Sequence, residues 1–265
     1  MRKTYRWQNN KEYWTERWAV IPPDDPMENA GAYPLKYALK TVKNKDGTIL
    51  EAGCGGGRIL RYYKKIGYTI KGIDFIEQAV EKLKVLDPEL DVEVGDITGL
   101  QFRDASFRYV LAFGLYHNLE NNLNLAVRET HRVLEKKGVV CASFRADNIQ
   151  TLFTDWLTEY RAGKKNKGTR RYREFHKMNL KMGEFIKLFE KNGFTIEHVF
   201  PVENMPFLYK FSIFRASEHK VFNENIARKE GYRLSNIGGF IQEKLLMKFF
   251  PNQFCNIYVL IARKA

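Results

Sequence analysis

The chain has 265 residues, 44% hydrophobic and 28% charged, which suits one large domain with its own core and excludes a disordered chain or a disulfide-stapled mini-protein. The longest stretch without Asp, Glu, Lys or Arg runs from Phe249 to Ala262 and is broken by Pro251, Asn252 and Gln253. No transmembrane segment is expected, although peripheral contact with a membrane stays open. Cys54, Cys141 and Cys255 have no zinc spacing, no metal is expected, and the first residues lack the apolar core of a signal peptide; a reducing cytoplasm fits.

Charge is unevenly divided. Residues 1–150 hold 23 Lys and Arg against 20 Asp and Glu, and residues 151–265 hold 21 against 11. The C-terminal excess is either a solvated basic surface or an attraction for something anionic: a phosphorylated or carboxylated substrate, a membrane surface or nucleic acid.

In chain order, residues 1–47 carry Tyr5, Trp7, Tyr13, Trp14 and Trp18, and are expected to form an N-terminal helical lid or to pack on the core. Strands and helices then alternate. Strand-like runs are Thr48–Ala52, Tyr68–Phe75, Asp91–Val94, Phe107–Phe113 and Val139–Phe144. Helical patterns cover Arg58–Ile66, Ile76–Leu86 and the stretch from Leu123 to Leu134, and they end at Gly67, before Pro88 and at Gly138. A further helix, about Leu180–Lys191, leads into a strand Phe194–Phe200, and Asn256–Ala262 is a final strand-like run. Such alternation predicts an α/β fold with a mostly parallel sheet covered on both faces. The core is expected to span residues 48–200 and 253–265. Residues 201–252, with 151–177 contributing a basic segment, are expected to form a mainly helical cap inserted before the last strand.

The strongest motif is Ile49-Leu50-Glu51-Ala52-Gly53-Cys54-Gly55-Gly56-Gly57-Arg58. An apolar strand enters a glycine-dense turn that opens a helix, the place where doubly wound sheets bind ligands. A dinucleotide fingerprint would put its third glycine at the position held by Arg58. Asp74 ends the second strand, 17 residues after Gly57, and Asp96 follows the third; a carboxylate at the former position can accept hydrogen bonds from ribose hydroxyls.

With these three signals in order, residues from about Thr48 to Phe144 resemble the core of class I S-adenosylmethionine-dependent methyltransferases of the type acting on small molecules. The resemblance implies a Rossmann-like seven-stranded sheet with its last strand antiparallel, and S-adenosyl-L-methionine as cofactor. It implies cofactor contacts from Glu51, Gly53, Cys54, Gly55, Asp74, Phe75, Asp96, Ile97 and Phe113, with Asp96 at the adenine amino group. Arg58 either reaches the methionine carboxylate or faces solvent. Many relatives carry Asp near the start of the fourth strand, where this chain has Arg108.

The fourth strand ends in Phe113-Gly114-Leu115-Tyr116-His117-Asn118, the edge that faces the transferred methyl in the family. His117 and Tyr116 are candidate catalytic groups, His117 as a general base or as a loop hydrogen-bonder. The expected reaction is in-line methyl transfer to a small-molecule acceptor, with oxygen favoured, and the acceptor carries both an apolar and an anionic part. Its pocket is expected between the Gly114–Asn118 loop and an apolar cap, chiefly the helical stretch Gly239–Phe250, with aromatic and aliphatic walls. The alternatives are an RNA or protein methyltransferase using the Arg161–Lys177 segment, where eight Lys and Arg meet one acidic residue, and a non-catalytic cofactor-binding module. The oligomeric state is open.

Overall fold

The computed structural model describes residues 1–6, 8–165, 173–221 and 231–265. Trp7 and residues 166–172 of the basic segment therefore lie outside the described residues. The strands are β1 (Arg2–Arg6), β2 (Ile49–Ala52), β3 (Ile70–Asp74), β4 (Val92–Val94), β5 (Phe107–Ala112), β6 (Leu134–Arg145), β7 (Glu174–Asn179), β8 (Phe194–Val202) and β9 (Ile257–Lys264).

Seven of them form one sheet in the order β4-β3-β2-β5-β6-β9-β8. Strands β2 to β6 pair in parallel, and β9 lies antiparallel between β6 and β8. This is the Rossmann-like sheet with an antiparallel last strand that the sequence suggested. The chain runs outward from β2 to β4 and then returns to place β5 beside β2. The reversal leaves a crevice at the carboxyl ends of β2 and β5, where open α/β sheets take their ligands.

Both sheet faces are covered because successive side chains of the central strands point to opposite sides. Val110, Ala112, Val140, Ala142, Tyr258 and Leu260 pack with α5 (Leu123–Val133) and α7 (Met182–Glu190). Tyr109, Leu111, Val139, Cys141, Val259 and Ile261 pack with α2 (Leu35–Thr41), α3 (Arg58–Lys65) and α4 (Glu77–Leu86). A strand buried on both faces reads as a continuous apolar run, which is why these strands stood out in the sequence.

Residues 1–47 differ from a purely helical lid. They open with β1, which pairs antiparallel with β7, so the C-terminal end of the basic segment is a strand, while its first residues close a helix that runs Ile149–Lys165. Helix α1 (Asn10–Val20) follows, while α2 belongs to the core layer. Between β8 and β9 the described residues form short 3-10 turns, a helical stretch from Asn236 to Phe249 that is π-helical over Ile241–Leu246, and a last helical turn, Pro251–Phe254. It leans on α6 (Ile149–Lys165) through Phe153, Phe207 and Phe211.

Phe189 sits fully buried at the junction of α5, α7 and the sheet, against Tyr116, Phe185 and Phe194. Replacing it with alanine removes a whole ring from a close-packed site. Phe189→Ala is expected to lower stability by about 3–5 kcal/mol, read as a lower urea midpoint at unchanged slope. A loss under about 1 kcal/mol would mean that this layer repacks freely.

Candidate functional site

The glycine turn is crowded from above. Gly55 has φ +52°, and a Cβ on it would stand 2.5 Å from Cζ2 of Trp18. A Cβ on Gly56 would stand 2.5 Å from Oδ2 of Asp24. Asp24 is held there by its own N–H, which donates to the Gly56 carbonyl at 2.8 Å, and by its carbonyl, which accepts from the Arg61 guanidinium. Bare backbone at 55 and 56 thus lets the N-terminal arm lie directly on the turn.

The arm is fixed at a second point. The ammonium of Lys82, on α4, donates to the carbonyls of Trp18, Ala19 and Ile21 at 2.7, 2.7 and 3.1 Å. These are the orphan acceptors that end α1, and a cation there also opposes the helix dipole. At the other end Asn9 accepts from the Glu12 N–H at 2.8 Å, a side-chain cap. Trp14 stacks on Trp18 with ring centroids 6.2 Å apart.

Beneath this arm a cavity of about 1470 Å³ runs from the glycine turn to the cap. Glu51, Gly53, Cys54, Gly55, Arg58, Asp74, Phe75, Asp96, Ile97, Phe113 and His117 all line it, so the structure brings together eleven of the twelve residues singled out in the sequence. Tyr13, Trp14 and Trp18 of α1 line it too.

The carboxylates along it differ in state. Asp74 accepts from the Gly55 N–H at 2.8 Å and the Ile76 N–H at 2.9 Å, one bond on each oxygen. Burial raises its pKa against these bonds and a further contact from the Phe75 backbone. Asp96 is exposed, and its Oδ1 accepts from the N–H and the hydroxyl of Thr98, both at 2.8 Å. Glu51 is only 4% exposed, and its Oε2 has no hydrogen-bond partner among the described residues. Burial pushes this carboxyl up to about 8, against the opposing pull of the Leu60 backbone and the Arg58 charge.

Across the crevice stands the loop after β5. His117 lies edge-on to Phe144 at 6.3 Å, and its Nδ1 is buried without a partner. Burial first, then the charges of Arg145 and Lys177, hold the imidazole well below its usual range, so it is neutral at neutral pH. Tyr116 corrects the expectation. It is fully buried, its hydroxyl is 2.6 Å from that of Thr130, and it is absent from the cavity wall. The one-turn 3-10 helix Tyr116–Asn118 turns consecutive side chains to different sides, sending Tyr116 into the core and His117 into the cavity.

The cap also departs from expectation. Phe240 and Phe249 are 61% and 62% exposed, and Met247 alone of the Gly239–Phe250 stretch's apolar side chains reaches the cavity. Glu203, Lys210, Arg233 and Glu243 line it beside Met205 and Pro206, so the cap wall is mixed, not apolar.

Sequence reading missed Tyr33, Ser143 and Arg145, which also line the cavity. The Tyr33 and Ser143 hydroxyls are 3.0 Å apart, and the Gly114 N–H donates to Ser143 Oγ at 2.8 Å. Ser143 and Arg145 occupy the carboxyl end of β6, where the rule that located the glycine turn also applies. Tyr33 had no local signal.

Residues 50–142 match the model of a family described as a methyltransferase domain. The chain is 28% identical over 121 residues to a malonyl-[acyl-carrier protein] O-methyltransferase of Erwinia billingiae, covering 45% of this chain and 47% of that one. It is 26% identical over 157 residues to a ubiquinone biosynthesis O-methyltransferase of Bartonella quintana, covering 56% and 60%. The chain thus spans about half the length of the curated relatives it matches. In fold it is similar to the methyltransferase of Haloferax volcanii solved in complex with the Trm112 activator, with a TM-score of 0.61 at 14% identity over 96% of this chain and 95% of that one.

The buried Glu51 carboxyl makes a pH prediction. Its pKa is raised from 4.5 to about 8 in the folded state. Within that window the unfolded chain releases the proton while the folded chain keeps it, so this group's contribution to stability falls as pH rises. Urea unfolding of wild type and Glu51→Gln at pH 5 and pH 8 isolates it. The variant is expected to gain on the wild type as pH rises, by at most about 1.4 kcal/mol per unit; a difference independent of pH would contradict the shift.

Proposed function

Because residues 50–142 form a class I S-adenosylmethionine-dependent methyltransferase domain, we propose that this chain methylates a small-molecule acceptor, at oxygen, in the cavity beneath its N-terminal arm. The observation that carries this reading is the continuity of that cavity. Its volume of about 1470 Å³ exceeds the roughly 300–1,000 Å³ typical of one small ligand, which leaves room for an acceptor beside the cofactor.

The residues fit the cofactor. The unpartnered Glu51 oxygen suits the methionine ammonium, with Arg58 on the same cavity wall facing its carboxylate. The Asp74 carboxylate, at the end of β3 on the cavity wall, suits the ribose hydroxyls. Asp96 and Ile97 would take the adenine amino group and one ring face, and Gly53 and Gly55 allow close approach of backbone. Phe75 and Phe113 add apolar wall. Once bound, the sulfonium supplies a methyl group already activated for displacement. The protein's task is then to exclude water and to hold the acceptor in line. Trp14, Trp18 and the Asp24 segment close the methionine end. Neutral His117, with Nδ1 unpartnered, accepts a hydrogen bond from the acceptor. Its depressed pKa makes it a weak base, which suits an acceptor hydroxyl that is itself acidic.

Oxygen as the target is supported by the names of two relatives, both O-methyltransferases. Against the polymer reading, Lys177 at the described end of the basic segment is buried and paired with Asp155 at 2.8 Å, so it is not part of an outward-facing basic groove.

Cell extract incubated with the protein and methyl-labelled S-adenosylmethionine tests this. Label is expected in the low-mass fraction as a base-labile or ether product. Label in RNA or protein alone would transfer the assignment to a polymer. Asp74→Ala is expected to weaken S-adenosylhomocysteine binding by about 1–3 kcal/mol in calorimetry; unchanged affinity would remove Asp74 from the ribose site.

A further inference from the structure

The cavity wall holds a cation that makes no direct ion pair among the described residues. Strands β1 and β7 and the end of β6 bring Arg2, Arg145 and Lys177 together with two carboxylates. Arg2 donates to Asp147 at 2.6 Å and to Asp155 at 2.8 Å, and Lys177 pairs with Asp155 at 2.8 Å. Those four groups balance one another. Arg145 is left over: it has no ion pair among the described residues, and its Nε is buried without a hydrogen-bond partner.

Arg145 also lines the cavity, together with Tyr33, Ser143 and His117. Its neighbours report the excess charge. His117 and His176 each have a buried Nδ1 without a partner, and both rings are held neutral by burial and by the surrounding cations, His176 down to about 3. Asp155 attracts Arg145 through space without pairing with it, and burial still holds the guanidinium below its usual range; a buried guanidinium without a direct ion pair is costly unless an anion arrives to pair with it.

Resting on the methyltransferase reading above, we propose that Arg145 recognises a carboxylate on the methyl acceptor. The planar fork of the guanidinium matches a carboxylate with two parallel N–H···O bonds. One unpaired guanidinium supplies one positive charge, the complement of a monoanion. The neutral imidazole of His117 sits beside it as an acceptor and adds no competing charge. The site thereby separates two anions: the cofactor's methionine carboxylate falls to the Arg58 side, and the acceptor's carboxylate to the Arg145 side. Arg145 acts as a specificity determinant and not as an acid or base.

The test uses the full chain saturated with S-adenosylhomocysteine and titrated with straight-chain monocarboxylates of roughly two to ten carbons and their neutral amides, as simple small-molecule probes. At least one acid is expected to bind about tenfold or more tighter than its amide, the size of a charge-assisted pair. Arg145→Met, which keeps the stem and removes the charge, is expected to abolish that preference and leave S-adenosylhomocysteine affinity unchanged. Arg145→Lys, which keeps the charge without the fork, is expected to restore part of it. The proposal is overturned if no acid outbinds its amide, if an alkyl phosphate outbinds every acid, or if both variants keep the preference. It is also overturned if the folded Arg145→Met protein loses S-adenosylhomocysteine, because Arg145 would then serve the cofactor. Failure of the methyltransferase reading itself shows earlier and separately, as wild-type protein that does not bind S-adenosylhomocysteine at all.

Discussion

The close approach of the N-terminal arm to the glycine turn is the constraint on which the site depends. Trp18 and Asp24 stand so near Gly55 and Gly56 that neither position has room for a Cβ. The turn is therefore doubly committed. It opens α3 in a left-handed backbone that glycine adopts readily, and it is the floor on which the arm rests. Lys82 fixes the arm from the opposite side by collecting three carbonyls at the end of α1. Two independent attachments, one of shape and one of charge, set the height of the roof above the carboxyl ends of β2 and β5.

Under that roof the cavity has two electrostatic characters. At the glycine turn one oxygen of the buried Glu51 carboxyl lacks a hydrogen-bond partner, and at the end of β6 the Nε of Arg145 lacks one, among the described residues. Burial penalises both charged forms, and each is relieved by a ligand group of opposite sign. A cofactor with an ammonium at one end and an acceptor with an anion at the other would discharge both penalties at once. Between them His117 stays neutral, and the hydroxyl pair of Tyr33 and Ser143 orients the Gly114 backbone.

The central strands were legible in the sequence because burial on both faces leaves uninterrupted apolar runs. The glycine turn and the two aspartates were legible because each follows its strand in order. The pair β1 and β7 was not, and the reason is physical. Three of its four buried positions, Thr4, Lys177 and Asn179, are polar and only Met178 is apolar, so no hydrophobic alternation marks these strands, and one side of the pair carries an ion-pair network. Arg145 escaped notice because the apolar run of β6 ends at Phe144, one residue earlier. The cap helix misled for the converse reason. Its many aromatic residues signalled burial, yet Phe240 and Phe249 lie on the surface. Tyr116 and His117 were taken together as neighbours in sequence, and the 3-10 turn sends them to opposite environments.

If the arm and the glycine turn close over one bound cofactor, they must respond to it together. Hydrogen exchange with and without S-adenosylhomocysteine measures this most directly. Slower exchange over residues 10–20, alongside residues 53–57 and 74–76, is the expected result. Protection of the turn with unchanged exchange over residues 10–20 would show that α1 is only packed on the core, and would contradict its role as the roof of the site.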